Sequence, residues 1–175
     1  MSENTKMMSL KIMAIVSSLV FASLASMAIL TLQHTPSTIT TAYAQQQSQT
    51  FTAKLSGKDE VPPVNTQATG TAQFQLSSDG KEINYDLTTT NLNGFMMAHI
   101  HKGKSGENGQ PVVPLQMGKG KITSSDLQGS LAGKQISDLV DLMKNGGAYA
   151  NIHTQQNQNG EIRGQVMSGS SSGGQ

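Results

Sequence analysis

The chain of 175 residues contains no cysteine and no tryptophan, and aromatic residues make up only 4% of it. Without cysteine it can form no disulfides, thiol nucleophiles, iron–sulfur clusters or cysteine-based zinc sites. With so few aromatic rings, it lacks the stacking platform on which proteins bind single-stranded nucleic acid. Any chemistry must therefore come from histidine, carboxylates, tyrosine, arginine or the backbone.

The chain also lacks an excess of charge of either sign. Its 12 Lys and Arg residues face 11 Asp and Glu residues, a formal net charge of +1. Removing residues 1–44, interpreted below as a leader, takes away Lys6, Lys11 and Glu3 and leaves ten basic and ten acidic residues. A neutral chain without a basic stripe predicts no nucleic-acid partner and no attraction to an anionic membrane surface. The sequence identifies no protein partner.

The first 44 residues have the organisation of an export signal. Lys6 and Lys11 precede an uncharged, apolar run over residues 12–32, and Ala-Tyr-Ala at 42–44 supplies a small-x-small cleavage site. The apolar run approaches the ~20 residues that span a bilayer, so an uncleaved membrane anchor stays open as the alternative. Either interpretation places the rest of the chain outside the cytoplasm, secreted or in the cell envelope, with membrane contact only through this segment.

The remaining length leaves room for one domain of ordinary size. We expect a polar linker at residues 45–50, a domain at 51–167 and a flexible tail rich in Gly and Ser at 168–175. Within the domain, short alternating segments separated by Gly, Asn and Asp predict eight strands. They are Phe51–Leu55, Thr71–Leu76, Ile83–Thr89, Phe95–His101, Val112–Gln116, Leu127–Leu131, Ala148–Thr154 and Glu161–Val166.

Helical spacing occurs only at residues 136–144, where Asn145-Gly146-Gly147 then ends the pattern. Asp79-Gly80 and Asn93-Gly94 are tight-turn signals that favour antiparallel hairpins. The sequence therefore predicts an all-β fold, an antiparallel Greek-key sandwich or barrel of about eight strands with one short helix.

The alternation along these strands separates an apolar face from a polar one, because successive side chains point to opposite faces. Of the four histidines, His34 falls in the leader region, and the other three share the polar face. That face is poor in lysine, which is unusual for a merely solvated sheet surface. Its members include His99, His101, His153, Asp86, Tyr149, Asn151, Glu161 and Arg163.

Three neutral imidazoles on one face suit a copper or zinc ion. We expect His99, His101 and His153 as ligands, with a polar surround that orients or completes the site. A purely structural hydrogen-bond network is the alternative. The surrounding residues in this interpretation are Asp86, Tyr149, Asn151 and Glu161.

Two neighbouring features bear on this predicted metal site. If Asn93-Gly94 closes a two-residue hairpin, Asp86 lies opposite His101 and can accept the second ring N–H of a ligand. Met97 shares the phase of the histidines and could offer a thioether to cuprous copper, although such residues more often serve packing.

Several motifs, taken in order, resemble the CHRD domain, a family named for chordin and found in many secreted bacterial and archaeal proteins. They include Gly57-x-x-Glu60-Val-Pro-Pro-Val64, Ala98-His-Ile-His-x-Gly103, Tyr149-x-Asn-Ile-His-Thr154 and Gly160-Glu-Ile-Arg-Gly164. The resemblance runs from about Phe51 to Val166. In chordin these domains accompany modules that capture growth-factor ligands, whereas this chain resembles the exported members from a bacterium or archaeon. The resemblance assigns no reaction to the domain.

A looser similarity is to copper,zinc superoxide dismutases, whose copper-binding strand carries an H-x-H pair after Gly-Phe, as His99-Ile-His101 follows Gly94-Phe95 here. It implies His99 and His101 as copper ligands, His153 as a further ligand and Arg163 as the cation that guides an anionic substrate. The zinc-loop histidines and the disulfide of those enzymes have no counterpart, so at most a copper-only site is implied. Whether the domain is an enzyme stays open, and a non-catalytic binding or structural module of the cell envelope is the alternative.

Overall fold

The computed structural model describes residues 49–169. The signal peptide or anchor predicted at residues 1–44, residues 45–48 of the predicted linker and residues 170–175 of the predicted tail lie outside the described residues. Among the described residues, no helix has both the length and the apolar character needed to cross a membrane.

The described part of the chain is almost entirely β-structure, as the alternation predicts. A single α-helix, α1, spans Ile136–Lys144. Short 3-10 turns lie at Gly57–Asp59, Ser124–Asp126 and Gly129–Leu131. The strands are β1 (Thr50–Ser56), β2 (Thr69–Leu76), β3 (Glu82–Thr90), β4 (Phe95–Lys102), β5 (Pro111–Leu115), β6 (Gly118–Thr123), β7 (Ala148–Thr154), β8 (Ile162–Gln165) and β9 (Met167–Ser168).

All strand pairs are antiparallel, and the sheet has the order β5-β4-β7-β8-β1-β2-β3-β6, with β9 beside β1. The two end strands, β5 and β6, are consecutive in the chain, so the sheet curls into a nearly closed barrel. At this seam the backbone N–H of Gln116 donates to the hydroxyl of Tyr85 at 2.9 Å. Because β4 lies beside β7 and β3 beside β6, the connections are of the Greek-key type. The predicted fold class is confirmed.

The core is formed by the apolar side of each strand and closed by α1. Ile100 on β4 and Ile152 on β7 are both fully buried, as the alternation predicts. The helix buries residues at the spacing of one amphipathic face, namely Ile136, Leu139, Val140 and Met143. Gly146, just beyond the helix, has φ +61°, the left-handed conformation that commonly ends helices. The helix prediction is confirmed at both ends.

One predicted strand is wrong, and strands β6 and β9 are additional to the predicted ones. The strand predicted at Leu127–Leu131 is irregular chain with a 3-10 turn at Gly129–Leu131, since Gly129 has φ +54°, which is outside the extended conformation of a strand. Strand β6 was not predicted, since only Ile122 of its residues is buried and glycines alternate with lysines instead of apolar residues. Packing requires glycine at position 120, because a Cβ there would overlap the ring of Tyr85.

The hairpin signals had different outcomes. Asp79-Gly80 does connect neighbouring strands, since Leu76 of β2 pairs with Ile83 of β3. The hairpin predicted at Asn93-Gly94 is wrong, because β6 occupies the second edge of β3 and β4 pairs with β5 and β7 instead. Asp86 therefore lies opposite Gln73 and Lys119, and its predicted pairing with His101 is wrong.

Candidate metal centre

Strands β4 and β7 bring the three histidines together. They pair in antiparallel register, with Met97 opposite His153, His99 opposite Asn151 and His101 opposite Tyr149. Since paired residues point to the same face of a sheet and every second residue shares that face, all these side chains project from the outer side of the barrel. The intervening residues of both strands face the core.

The three imidazole rings form a nearly equilateral triangle. The ring centroids of His99 and His101 are 5.6 Å apart, those of His99 and His153 are 5.4 Å apart, and those of His101 and His153 are 5.6 Å apart. One ring nitrogen from each residue lies within 4.8 Å of the other two. His101 and His153 are 7% and 8% exposed, whereas His99 is half-buried, so the cluster opens to solvent on the side of His99.

Backbone carbonyls hold two of the rings. Nδ1 of His101 donates to the carbonyl of Gly109, and Nδ1 of His153 donates to the carbonyl of Gln158, both at 2.9 Å. Because a carbonyl oxygen can only accept, each Nδ1 carries the ring proton of the neutral imidazole and each Nε2 presents a lone pair. This backbone contact is the arrangement that fixes the tautomer and orientation of metal-ligating histidines.

The remaining ring nitrogens of the cluster are buried polar atoms without a hydrogen bond. Nε2 of His101, Nε2 of His153 and Nδ1 of His99 have no hydrogen-bond partner among the residues that the structure describes. Most buried polar atoms in proteins are hydrogen-bonded, so three such nitrogens in one cluster are unusual. One lies on each ring of the triangle, and we call these three atoms the convergent nitrogens.

The surroundings of the cluster favour the neutral form of the three imidazoles. Burial lowers the pKa of all three histidines, and that of His101 falls to about 4. The hydrogen bond to Gly109 opposes this effect at His101, while the neighbouring His153 and His99 add to it. The rings therefore stay unprotonated at neutral pH, which is the form that binds a metal ion.

A stack of buried side chains supports His101 from behind. The ring of Tyr149 lies 4.9 Å from that of His101 at an interplanar angle of 17°, and the guanidinium carbon of Arg163 lies 3.5 Å from the centroid of Tyr149. Tyr149 and Arg163 are each only 2% exposed. The arginine thus makes a desolvated cation–π contact with the tyrosine. Its predicted role in guiding an anion stays a prediction, and the structure places it within the stack.

The same stack positions the carbonyl that orients His101. The backbone N–H of Gly109 donates to the hydroxyl of Tyr149 at 3.0 Å. Arg163 donates to the carbonyl of Lys104 at 2.9 Å and to the side-chain oxygen of Asn108 at 3.3 Å. These contacts hold the loop between β4 and β5, from which Gly109 reaches His101.

An equivalent support lies behind His153. Glu161 is 7% exposed and accepts hydrogen bonds from the hydroxyls of Thr154 at 2.6 Å and Thr66 at 2.8 Å. Although burial raises its pKa, these hydrogen bonds outweigh burial and hold the pKa below its ordinary value. The hydroxyl of Thr154 in turn accepts from the backbone N–H of Asn157 at 3.0 Å, in the turn that carries the Gln158 carbonyl.

A buried carboxyl group that was not predicted as a site residue contacts Asn151, the residue that pairs with His99. Glu60 is 5% exposed, and its Oε2 accepts from Nδ2 of Asn151 at 3.4 Å. Burial raises the pKa of Glu60 to about 7. Neither Oε1 of Glu60 nor Oδ1 of Asn151 has a hydrogen-bond partner within residues 49–169. Glu60 lies in an irregular, proline-rich connection without periodicity, where its only sequence signal is its place in the Gly57–Val64 motif.

The fold and the cluster together define a class of protein: a small, nearly closed antiparallel β-barrel with two buried histidines and one half-buried histidine clustered on its outer face. The family model of the CHRD domain matches residues 51–166, and the chain belongs to the CHRD domain family. A comparison with curated proteins and one with solved structures each found no match. The similarity to copper,zinc superoxide dismutases and the bacterial or archaeal origin stay predictions.

Proposed function

We propose that this domain binds one transition-metal ion, copper in preference to zinc, through His99, His101 and His153. The observation that carries the proposal is the group of convergent nitrogens. A structural hydrogen-bond network would pair these atoms with donors or acceptors, whereas a metal ion needs their lone pairs. Three imidazoles are a donor set that both copper and zinc accept.

The dimensions of the cluster fit one ion after a small adjustment. An ion with metal–nitrogen distances of about 2.0–2.1 Å, as for zinc, holds its ligand atoms about 3.3–3.5 Å apart. The ring nitrogens already lie within 4.8 Å of one another, so ring movements on the order of 1 Å close the site. His99 is the ring that can supply this movement, because it is half-exposed and is not held through Nδ1 as the other two rings are.

Redox activity is the second part of the proposal. Bound copper supplies one-electron chemistry, and the corresponding superoxide dismutase-like reaction converts two superoxide anions and two protons into dioxygen and hydrogen peroxide. The contribution of the chain is to keep three neutral imidazoles in place, two of them through backbone carbonyls, and to leave the side of His99 accessible. Three protein ligands leave a coordination position for a small molecule on that side.

Metal stoichiometry and thermal unfolding of the purified protein test metal binding. After removal of metal with a chelator, addition of Cu(II) or Zn(II) should give one ion per chain. At a thousandfold excess over Kd, binding adds about 4 kcal/mol to the free energy of unfolding, which raises the Tm by roughly 10 °C or more. His99→Ala and His153→Ala should abolish both effects, whereas Gln73→Ala, at an exposed position on β2, should preserve them.

The same samples decide between the candidate functions. If the wild-type protein takes up no ion, or if both histidine variants keep the wild-type stoichiometry, the metal proposal is wrong and the non-catalytic module is favoured. If copper binds but the loaded protein does not accelerate superoxide decay beyond the His99→Ala variant, only the redox part fails.

We also propose that the domain works outside the cytoplasm. Support comes from the sequence alone, from the order of Lys6 and Lys11, the apolar run at 12–32 and Ala-Tyr-Ala at 42–44. Cell fractionation followed by N-terminal sequencing tests this proposal. A chain beginning at Gln45 indicates a cleaved signal, recovery of the intact chain in membranes indicates an anchor, and recovery in the cytoplasm contradicts export.

A further inference from the structure

Met97 is the immediate neighbour of two of the three clustered histidines. It precedes His99 by two residues on β4, and it pairs directly with His153 on β7. Because alternate residues of a strand and directly paired residues share one face, the side chain of Met97 leaves the barrel on the same side as the cluster. Directly paired residues have Cβ atoms about 4.5–5.5 Å apart, within the reach of a methionine side chain.

The exposure of Met97 does not fit a packing role. Its side chain is 45% exposed, and the two residues before it, Phe95 and Met96, are 37% and 44% exposed. A residue that leaves nearly half of its surface in water contributes little to a core. The cluster opens on the side of half-buried His99, next to which Met97 stands. The side chain of Met97 therefore leaves the sheet next to the side on which the cluster opens, where an ion would enter.

We infer that Met97 is a fourth, thioether ligand that makes the three-histidine cluster selective for cuprous copper. The inference rests on the proposed metal site and adds a ligand and a preferred oxidation state to it. Soft thioether sulfur binds Cu(I) well and contributes little to zinc binding, which imidazoles alone support. The unbranched methionine side chain has the freedom to turn its sulfur toward the convergent nitrogens.

Met96 provides a matched control within the same strand. It has the same chemistry as Met97 and almost the same exposure, 44% against 45%. However, it falls at the register irregularity between Phe95 and Met97 and has no partner in the pairing of β4 with β7. A β-bulge leaves its extra residue outside the regular ladder. Loss of the Met96 sulfur should therefore not affect the site.

The test compares the wild-type protein with Met97→Leu and Met96→Leu. Under anaerobic, reducing conditions, competition with a chromogenic Cu(I) chelator should show about ten- to a hundredfold weaker Cu(I) binding for Met97→Leu, the loss typical of removing a contributing group at a metal site. Met96→Leu should match the wild type within about twofold, and so should Zn(II) binding in both variants. X-ray absorption should detect a sulfur neighbour of Cu(I) in the wild type and in Met96→Leu, but not in Met97→Leu.

The outcomes separate this inference from the metal site itself. If the wild type binds Cu(I) with only nitrogen neighbours, or if Met97→Leu retains wild-type Cu(I) affinity, the thioether ligand is refuted while the three-histidine site stands. If the wild type binds no metal ion at all, both proposals fail. A wild-type X-ray absorption spectrum with only nitrogen neighbours refutes the thioether ligand by itself, so refutation does not depend on the folding of a variant.

Discussion

Replacing Glu60 with glutamine should make the domain more stable at alkaline pH. Glu60 is 5% exposed, and burial raises its pKa from 4.5 to about 7. Two neighbours oppose this effect, the charge of Arg163 on β8 and the hydrogen bond from Asn151 on β7, while the charge of Asp59 adds to it. Glutamine has almost the same shape and can donate to Oδ1 of Asn151, but it never ionises.

The direction in which stability changes with pH follows from the difference between the folded and unfolded pKa of Glu60. The folded pKa of Glu60 lies above the unfolded one, so the folded protein holds a proton that the unfolded chain has already released between pH 4.5 and 7. Stability from this group is complete below pH 4.5 and is lost as the pH rises through about 7. One pKa unit corresponds to 1.36 kcal/mol, so the shift from 4.5 to about 7 gives a loss of up to about 3 kcal/mol.

Denaturant unfolding measures this loss as the difference in the free energy of unfolding between Glu60→Gln and the wild type. The measurements are made at pH 5, 6, 7 and 8 in the presence of a metal chelator. The buried histidines titrate in both proteins, so their contribution cancels in the difference. We expect an advantage of less than about 1 kcal/mol for the variant at pH 5, which rises to about 3 kcal/mol at pH 8. Glu82→Gln, which removes a surface ion pair with Lys121, should change stability by less than about 1 kcal/mol. A Glu60→Gln difference that does not change with pH would refute the reasoning.

Three further predictions concern the support of the cluster. Tyr149→Phe removes the hydroxyl that accepts a hydrogen bond from the N–H of Gly109. The change should lower the free energy of unfolding by about 1–3 kcal/mol and weaken metal binding. Calorimetry and metal titration that both match the wild type would contradict this. Gly160→Ala should lower the free energy of unfolding by about 2 kcal/mol or more, because φ is +134° and the new Cβ would lie 2.7 Å from side-chain atoms of Glu60 and Asn151. The control is Gly80→Ala, where φ is +70° and the space is open, and it should lower the free energy of unfolding by less in the same assay. Burial lowers the pKa of all three histidines below 6.5, and that of His101 to about 4, so acid should weaken metal binding in competition titrations at a lower pH than it does for exposed histidines. A pH profile that matches that of an exposed histidine peptide would contradict this.

The side of the sheet on which the histidines lie could be predicted from the sequence. Ala98 and Ile100 on β4, like Ala150 and Ile152 on β7, mark the core-facing positions, so His99, His101 and His153 must project from the opposite face. Strand alternation is a property of neighbouring residues, and it does not depend on which strands pair. The helix at Ile136–Lys144 was predictable for the same reason, because its apolar period and its glycine stop are both local.

Which residues lie near the cluster could not be predicted from the sequence, because it depends on strand pairing and on contacts between distant parts of the chain. Asp86 shares the polar alternation of its strand, yet the pairing of β3 with β6 takes it away from His101. Glu60 lies 91 residues from Asn151 in the chain and in a connection without periodicity, so no local signal joins the two. The carbonyls that orient His101 and His153 belong to loops, and a carbonyl is present at every residue.

The sequence by itself therefore determined an all-β domain of the CHRD family with three imidazoles on its outer face, because strand phase and short motifs are encoded by adjacent residues. Only the tertiary structure decided that β4 and β7 are partners and that the ring centroids lie 5.4–5.6 Å apart. It also decided that Tyr149 stacks on His101 with Arg163 behind it, and that Glu161 and Glu60 bond to Thr154 and Asn151 on the same strand as His153. Strand order depends on how the whole chain closes its barrel and buries its core, and many orders are compatible with the same local alternation.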